Sequence, residues 1–375
     1  MTELERENLI SRNRKIIEIV MKEMNDKCPG SVDMIGIGGS FCNGDIYEKS
    51  DLDLVIISND DKAGCLNQCF ILGDVAMDVY THDWSSFEKM AEYNHPYVTK
   101  LIDLDIIYVH DEDVMGYYKK LQGKLRENMN NDLLIFENVK KHFSKAKLEL
   151  VKLNKNDSDL GIAYRALGNI VREVEFVIYM MNKSYVKRGT KRVPEEICSM
   201  DLLPDGFKDI YSDITNCHNI EEVKDKCNKL VSIVGEFLSS RGIEAEAEEE
   251  EKEVVETVDR NEVTASNLRG TYEEIYSNWK NKMYHAVSIN SRYLSFVTMR
   301  SCQEFYDDMF LAFQIPKIEL IDYYNPDDLV NNAEKFDSCM EKWLELYKQV
   351  GLDVNFYADT KELEGMYSAK EKTHK

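Results

Sequence analysis

The spacing of apolar residues divides the chain into two kinds of segment. Residues 4–25 carry apolar side chains at helical spacing, which predicts an opening helix. Short apolar runs typical of buried strands follow, with helical segments between them; these runs lie at residues 34–37, 52–58, 75–80 and 106–110. Because strands that alternate with helices indicate an α/β unit, residues 1–120 are predicted to form a small α/β domain.

Beyond residue 130 the periodicity is almost entirely helical. It predicts a helical bundle over residues 130–241, an acidic linker or exposed helix over residues 242–262, and a second helical unit over residues 265–370. The main predicted helices of the bundle lie at residues 133–153, 162–181 and 220–240. The predicted fold class is therefore an α/β head with a small mixed sheet and helices, followed by all-helical bundle regions.

Composition and charge narrow the classes of partner. The chain has 375 residues, 43% of them hydrophobic, and a formal net charge of −22. Because nucleic-acid binding needs clustered Lys and Arg, this acidity argues against a nucleic acid and is compatible with a cationic partner, although solubility alone also explains it. Nine scattered cysteines without a CxxC pair argue against a disulfide framework and a zinc site. With no secretion-type N-terminus and no apolar run of about 18 residues, we expect no membrane contact and a cytoplasmic location.

The candidate chemistry lies around the first two predicted strands. The first ends in a Gly-Gly-Ser turn at residues 38–40, whose backbone can approach a ligand closely and whose N–H groups and hydroxyl can hold phosphate oxygens. Asp51 and Asp53 are two apart on the second predicted strand, so both side chains leave one face. Asp78 lies within a later apolar strand and joins this pair if the two strands are neighbours. Three carboxylates can hold two Mg²⁺ ions, an arrangement that serves in-line nucleotidyl displacement.

These parts, taken together, resemble the signature of a known superfamily. The Gly-Gly-Ser turn, the internal Gly44 within the roughly ten residues that follow it, and the sequence Ser-Asp-Leu-Asp at residues 50–53 look like the DNA polymerase β-type nucleotidyltransferases. An α/β head followed by a helical bundle is similar to the antibiotic nucleotidyltransferases, which adenylylate aminoglycosides or lincosamides. The motif resemblance covers roughly residues 34–80. It implies a nucleotidyltransferase head that uses Mg²⁺ and ATP or another nucleoside triphosphate.

The resemblance gives each motif residue a role. Gly39 and Ser40 would hold the triphosphate, and Asp51 and Asp53 would bind the metal. Asp78 would be the third carboxylate, serving as a metal ligand or as the base that activates an acceptor hydroxyl. On this basis the predicted catalytic residues are Asp51, Asp53 and Asp78.

A basic cluster and an acidic pair in the bundle are further candidates. In the resembling family, basic residues of the helical domain reach the triphosphate, which makes Lys187 and Lys191 candidates here; the alternative is a solvated loop between helices. Glu173 and Glu175 are expected on a solvated helix face, with a role in the cleft as the alternative. The whole basic cluster comprises Lys183, Lys187, Arg188, Lys191 and Arg192.

The function expected from the sequence is transfer of a nucleoside monophosphate to a hydroxyl of a small, cationic, antibiotic-like molecule, which would be an antibiotic-resistance activity. Two alternatives stay open. One is nucleotidylation of a protein, as in toxin–antitoxin systems, and the other is a nucleotide-binding protein without catalysis. Residues 265–370 are expected either to pack over the site or to mediate a homodimer.

Overall fold

A six-stranded mixed sheet forms the core of the head in the computed structural model, which describes residues 2–47, 49–156, 158–246 and 260–365. The strands are β1 (Val32–Ile37), β2 (Leu54–Ser58), β3 (Gln68–Leu72), β4 (Val75–His82), β5 (Asp105–Val109) and β6 (Phe356–Tyr357). Across the sheet they lie in the order β5-β1-β2-β4-β3-β6. The small mixed sheet expected from the sequence is thus confirmed, and β3 and β6 are additions to it.

The start of β2 corrects one detail of the sequence interpretation. The strand begins at Leu54, so Asp51 and Asp53 precede it instead of lying within it. The alternation of core-facing and outward-facing side chains nevertheless begins before the strand, since Leu52 and Leu54 are 3% and 5% exposed and belong to the core. The two aspartates are therefore directed away from that core, as the period of two requires.

The register of three neighbouring strands aligns the motif residues. β1 and β2 are antiparallel with Ile37 opposite Leu54, and the N–H of Gly38 donates to the carbonyl oxygen of Asp53 at 2.9 Å. β2 and β4 are parallel, with Leu54 opposite Val79. The Gly-Gly-Ser turn, the Asp51–Asp53 segment and Asp78 consequently lie in one row across β1, β2 and β4.

Fifteen α-helices in the described ranges, together with a helical stretch over residues 360–365, confirm the helical regions expected after the head. Asn131, Asp159 and Asn219 cap the N-termini of the three long bundle helices, each accepting from a backbone N–H of the first turn. The helices are α1 (Glu3–Lys27), α2 (Gly39–Asn43), α3 (Trp84–Ala91), α4 (Thr99–Ile102), α5 (Glu112–Met129), α6 (Asp132–Lys155), α7 (Leu160–Met181), α8 (Val193–Cys198), α9 (Phe207–Asp213), α10 (Ile220–Ser239), α11 (Ala265–Leu268), α12 (Thr271–Ile275), α13 (Asn281–Ser288), α14 (Arg292–Ala312) and α15 (Leu329–Gln349).

Shorter helical turns complete the chain. Three are 3₁₀ turns, at Asp61–Leu66, Thr190–Arg192 and Ile321–Tyr323. A π-helical segment, Tyr276–Lys280, joins α12 to α13. None of the helices in the described ranges is long and apolar enough to cross a membrane.

Two hydrophobic clusters cover the two faces of the sheet. Ile56 of β2 and Met77 of β4 pack with α1 on one face. Val55 and Ile57 point to the other face, into a cluster that continues through the bundle helices to Trp343 of α15. Because the same cluster contains residues of the head, the bundle and the C-terminal unit, these regions share one continuous core.

The C-terminal unit also completes the head's sheet. β6 pairs in parallel with β3, so that Leu72 lies opposite Tyr357. The side-chain amide of Asn355 donates to the carbonyl oxygen of Cys69 at 3.2 Å. The predicted second helical unit therefore lies against the edge of the head. The division at residues 130, 242 and 265 stays a prediction, and most of the acidic linker, residues 247–259, lies outside the described residues.

Candidate active site

The Gly-Gly-Ser turn forms the beginning of α2 beside Asp53. Gly39 has φ +63°, a conformation that favours glycine. A Cβ at this position would lie 2.5 Å from Cγ of Asp53, far inside van der Waals contact. The backbone N–H of Ser40 acts to lower the pKa of the Asp53 carboxyl, and the buried Ser40 hydroxyl has no hydrogen-bond partner among the described residues. The turn thus presents a close-approach backbone and an unsatisfied hydroxyl, both suited to an oxygen-rich ligand.

The two predicted metal ligands carry charges that the protein only partly compensates. Asp51 is half-buried, and desolvation followed by the charge of Asp53 raises its pKa. Asp53 is exposed to a cavity, yet enough protein atoms surround its carboxylate for desolvation to raise its pKa as well. The charge of Asp78 raises the pKa of both groups, which places all three carboxylates within electrostatic reach of one another. Three carboxylates that repel one another in this way form an arrangement that a bound cation would stabilise.

Asp78 is held by a residue that the sequence did not single out. Its Oδ1 accepts a hydrogen bond of 2.7 Å from the hydroxyl of Ser277, in the π-helical segment. Glu274, one turn earlier on α12, is close enough to Asp78 that its pKa is raised by desolvation and then by the Asp78 charge. The C-terminal unit therefore contributes side chains directly at the third carboxylate.

Lys282 is a second contribution from that unit. It lies on α13, and its positive charge lowers the pKa of Asp51 and of Asp53, against the effect of burial. Lys100, from α4 of the head, acts on Asp53 in the same way. Nothing in the local sequence around Lys282 marks it, because a single lysine in an aromatic-rich helix is typical of an ordinary surface position. Only the packing of the C-terminal unit onto the head reveals it.

The basic loop between α7 and α8 faces the head. Lys191 bonds the carbonyl oxygen of Asp45 at 2.6 Å and its carboxylate at 3.1 Å, and Arg192 pairs with the same carboxylate at 2.8 Å. The hydrogen bonds of Arg192, ahead of those of Lys191, lower the pKa of Asp45 to about 2. Lys187 lies over the ring of Tyr185, with its nitrogen 5.6 Å from the ring centre. The loop is consequently anchored across the cleft, with Lys191 already engaged by a carboxylate.

These elements enclose a cavity of about 440 Å³. This volume is within the range typical of small-molecule sites. The cavity is lined by the Gly-Gly-Ser turn, by Asp51 and Asp53, and by basic residues from several segments. The basic residues are Lys49, Lys100, Lys187, Arg188, Lys191 and Lys282. A neighbouring cavity of about 1280 Å³ shares Gly39 and Lys187 and extends towards Asp103 and Asp105. The predicted turn residues, metal ligands and lysines thus line one cavity, with Asp78 beside it.

The donor set fits Mg²⁺ bound together with a nucleotide. In the part of the chain that the structure describes, no three His, Cys, Asp or Glu side chains are arranged to hold a metal by themselves. Mg²⁺ does not need such a cage, since it keeps several waters and binds through one or two carboxylates plus substrate phosphates. Asp51 and Asp53 supply that pair of carboxylates, and a divalent cation would stabilise their charged forms against the desolvation and the repulsion that raise their pKa values.

The expectation of a solvated face for Glu173 and Glu175 was wrong. Both are buried: Glu173 bonds His142 at 2.6 Å, and Glu175 accepts from the hydroxyls of Tyr211 and Tyr293 at 2.5 and 2.6 Å. Desolvation raises the pKa of Glu175 to about 7. The reason is that α7 is buried on nearly all sides, so even its polar residues need partners inside the protein.

Comparison with known proteins adds little to this geometry. No protein-family model matches the chain, and no curated protein matches it. Eight chains of solved structures match. One is a nucleotidyltransferase-like protein from Exiguobacterium sibiricum, 10% identical, covering 61% of this chain and 79% of that one with a TM-score of 0.36. At that identity and score, the likeness carries no inference about activity.

Proposed function

We propose that the protein is a Mg²⁺-dependent nucleotidyltransferase that moves a nucleoside monophosphate, AMP from ATP, onto a hydroxyl of a small cationic molecule of the antibiotic type. One observation carries the proposal. A glycine turn at the end of β1, the Asp51–Asp53 pair before β2 and Asp78 on β4 lie in one row, beside a cavity lined by lysines from three regions of the chain. That combination suits a triphosphate with its metal ions better than it suits a purely structural role.

Each group has a task that follows from its position. The N–H groups and hydroxyl of the turn at Gly39 and Ser40 would hold the outer phosphates, and Lys187, Lys191 and Lys282 would offset their charge. Asp51 and Asp53 would hold Mg²⁺, which supplies charge neutralisation at the α-phosphate when bound. Asp78 would orient the acceptor hydroxyl and accept its proton.

The choice of a cationic acceptor rests on charge. The chain carries a net charge of −22, which attracts cations over long range. At the acceptor side of the row, Glu274 lies beside Asp78, and their repulsion contributes to the raised pKa of Glu274. A cationic amine near the reacting hydroxyl would be favoured by both carboxylates, whereas an anionic acceptor would be repelled.

An acceptor screen tests the proposal. The protein is incubated with each of the four nucleoside triphosphates, Mg²⁺ and a panel of aminoglycosides and lincosamides, and pyrophosphate release is measured. We expect release that depends on one acceptor and on Mg²⁺ and is lost in Asp51→Asn. Asp61→Asn, an exposed carboxylate beyond the far end of β2, is the matched control and should retain activity.

Two results would redirect the assignment. Label from the α-phosphate appearing on other proteins in place of small acceptors would favour protein nucleotidylation. Binding of ATP without pyrophosphate release under any condition would indicate a nucleotide-binding protein without catalysis.

A further inference from the structure

The hydrogen bond between Ser277 and Asp78 places a hydroxyl of the protein itself at the third carboxylate. The Oγ–Oδ1 distance is 2.7 Å, and Ser277 is 5% exposed. The same serine lines the 440 Å³ cavity together with Asp51 and Asp53. A hydroxyl that donates to this carboxylate at the edge of a nucleotide-sized cavity occupies the position assigned above to the hydroxyl of an acceptor.

The order of the strands puts this hydroxyl on the side from which attack must come. In-line displacement requires the nucleophile and the leaving pyrophosphate on opposite sides of the α-phosphate. The phosphate-holding turn follows β1, the Asp51–Asp53 pair precedes β2, and Asp78 with Ser277 lies at β4. Since β2 lies between β1 and β4, the carboxylate pair separates the turn from Ser277. An α-phosphate held at Asp51 and Asp53 would face Ser277 on the side away from the turn.

The segment that carries Ser277 is held firmly in place. Glu273, which is fully buried on α12, accepts from the hydroxyl of Tyr347 at 2.8 Å and from the N–H of Asn355 at 2.6 Å. Trp343 donates to the hydroxyl of Thr271 at 3.0 Å. These bonds fix α12 to α15 and to the residue that precedes β6, so the hydroxyl is positioned before any nucleotide arrives. The π-helical geometry at this point is rare and is frequent at functional sites.

We propose that Ser277 is a nucleotidyl acceptor within the chain, so that the protein modifies itself when no small acceptor is bound. The proposal rests on the nucleotidyltransferase function proposed above. The Ser277 oxygen forms a bond to the α-phosphorus of a nucleoside triphosphate, and the bond from that phosphorus to the bridging oxygen of the β-phosphate breaks. Pyrophosphate leaves with the electron pair, and the hydroxyl proton passes to the Asp78 carboxylate. The product is a phosphodiester between Ser277 and the nucleoside.

Two consequences follow from the geometry. The modification is limited to one nucleotide per chain, because the attached nucleotide remains in the cavity that a second would need. A small acceptor and Ser277 also compete for Asp78, so an acceptor that is turned over should suppress self-modification.

The test is labelling of the full-length protein in the absence of any acceptor. Purified protein is incubated with Mg²⁺ and ATP labelled at the α-phosphate, and in parallel with ATP labelled at the γ-phosphate. We expect label only from the α-phosphate, an intact-mass increase equal to one AMP residue, and a modified peptide that contains Ser277. Ser277→Ala should lose the label, and Ser277→Thr, which keeps a hydroxyl, should regain it.

A matched serine and a folding measurement complete the design. Ser288 is exposed on α13, and among the described residues it bonds only within its own helix, its hydroxyl donating to the carbonyl oxygen of His285 at 2.8 Å. Ser288→Ala should be labelled like the natural sequence. Thermal unfolding of Ser277→Ala shows whether its loss of label reflects a lost nucleophile in a folded protein. The peptide map of the unaltered protein identifies the modified residue without the use of any variant.

Unlabelled protein, or label at another residue, would overturn the proposal. If the same preparation still releases pyrophosphate with a free acceptor, the proposed nucleotidyltransferase function stands and only self-modification is refuted. If no acceptor gives pyrophosphate release either, both proposals fall. Faster acceptor turnover in Ser277→Ala without any label on the natural protein would identify Ser277 as an obstruction at Asp78, which also refutes the proposal.

Discussion

Replacement of Gly39 by alanine isolates the contact between the Gly-Gly-Ser turn and Asp53. The added methyl group would overlap Oδ2 of Asp53 and would lie 2.5 Å from its Cγ. Gly44, at the other end of α2, offers a matched control: its φ of +74° resembles the +63° of Gly39, but a Cβ there meets nothing within 4 Å. Both alanine variants carry the same kind of backbone strain, and only one of them collides with a carboxylate.

Backbone strain and the collision with Asp53 should affect different measured quantities. A left-handed conformation costs an alanine about 1–2 kcal/mol, and this cost should appear in the unfolding free energy of both variants. Because carbon–carbon contacts are favourable only beyond about 3.5 Å, relief of the contact with Cγ alone requires the Asp53 side chain or the start of α2 to move by about 1 Å, and relief of the overlap with Oδ2 requires more. A displacement of that size at a catalytic group costs about 10²-fold in rate, equivalent to about 2.7 kcal/mol in the activation free energy.

The assay is kcat/KM for ATP, measured with the acceptor found in the screen and accompanied by thermal unfolding. We expect Gly39→Ala to lose about 10²-fold and Gly44→Ala to remain close to the natural protein, while their melting temperatures fall by similar amounts. Equal kcat/KM values for the two variants would refute the reasoning, because the collision with Asp53 would then have no consequence at the reacting centre.

Three further predictions concern charge. Lys282→Met should lower kcat/KM for ATP by about 10²-fold, and Lys282→Arg should restore much of that loss. The control is Lys280→Met, which should leave kcat/KM unchanged because Lys280 pairs with Asp337 at 3.3 Å outside the cavity. An unaffected Lys282→Met would exclude a contact between Lys282 and phosphate. The pKa of Glu175 is about 7 in the folded protein, against an ordinary value of 4.5, so the folded state binds this proton more tightly than the unfolded state does. The Glu175 carboxyl therefore destabilises the fold increasingly as the pH rises from 4.5 through 7. Glu175→Gln should therefore be more stable than the natural protein above pH 7, by up to about 3 kcal/mol in urea unfolding, with no such advantage below pH 4.5; a difference independent of pH would contradict this. Finally, calorimetry should show ATP binding at least about tenfold more weakly in EDTA than in Mg²⁺, whereas equal affinities would argue against metal binding at Asp51 and Asp53.

Local patterns were sufficient to single out the candidate residues that lie within the head. The Gly-Gly-Ser turn and the alternation of Leu52 and Leu54 with two aspartates are properties of neighbouring residues. Strand pairing then brings Asp78 alongside without any further information, since β2 and β4 are adjacent and parallel. β3 does not emerge from the sequence although it forms a hairpin with β4, because its apolar run is short and its turn, with Gly73 at φ +63°, carries only a weak signal.

The C-terminal part of the site could not be predicted from local patterns. Ser277 and Asp78 are 199 positions apart in the sequence. For α13, which follows the segment that contains Ser277, helical periodicity shows which face is apolar but not which surface of the protein covers that face. β6 contains two residues, too few for any strand signal. The burial of Glu175 escapes prediction for a related reason. Its partners Tyr211 and Tyr293 come from two distant helices, so their approach depends on the packing of the whole bundle.

The charges around the cavity bear on the proposed binding of a triphosphate and on the metal ions that the proposal includes. Of the six basic residues that line the cavity, Lys49, Lys191 and Arg188 are paired with Asp74, Asp45 and Glu196. The other three, Lys100, Lys187 and Lys282, have no carboxylate within ion-pair distance among the described residues, and their three positive charges match the three carboxylates of Asp51, Asp53 and Asp78. A site that is close to neutral by itself neither repels nor balances a triphosphate of charge about −4. Two divalent cations would supply the missing charge at the carboxylates, which is the arrangement that in-line displacement uses.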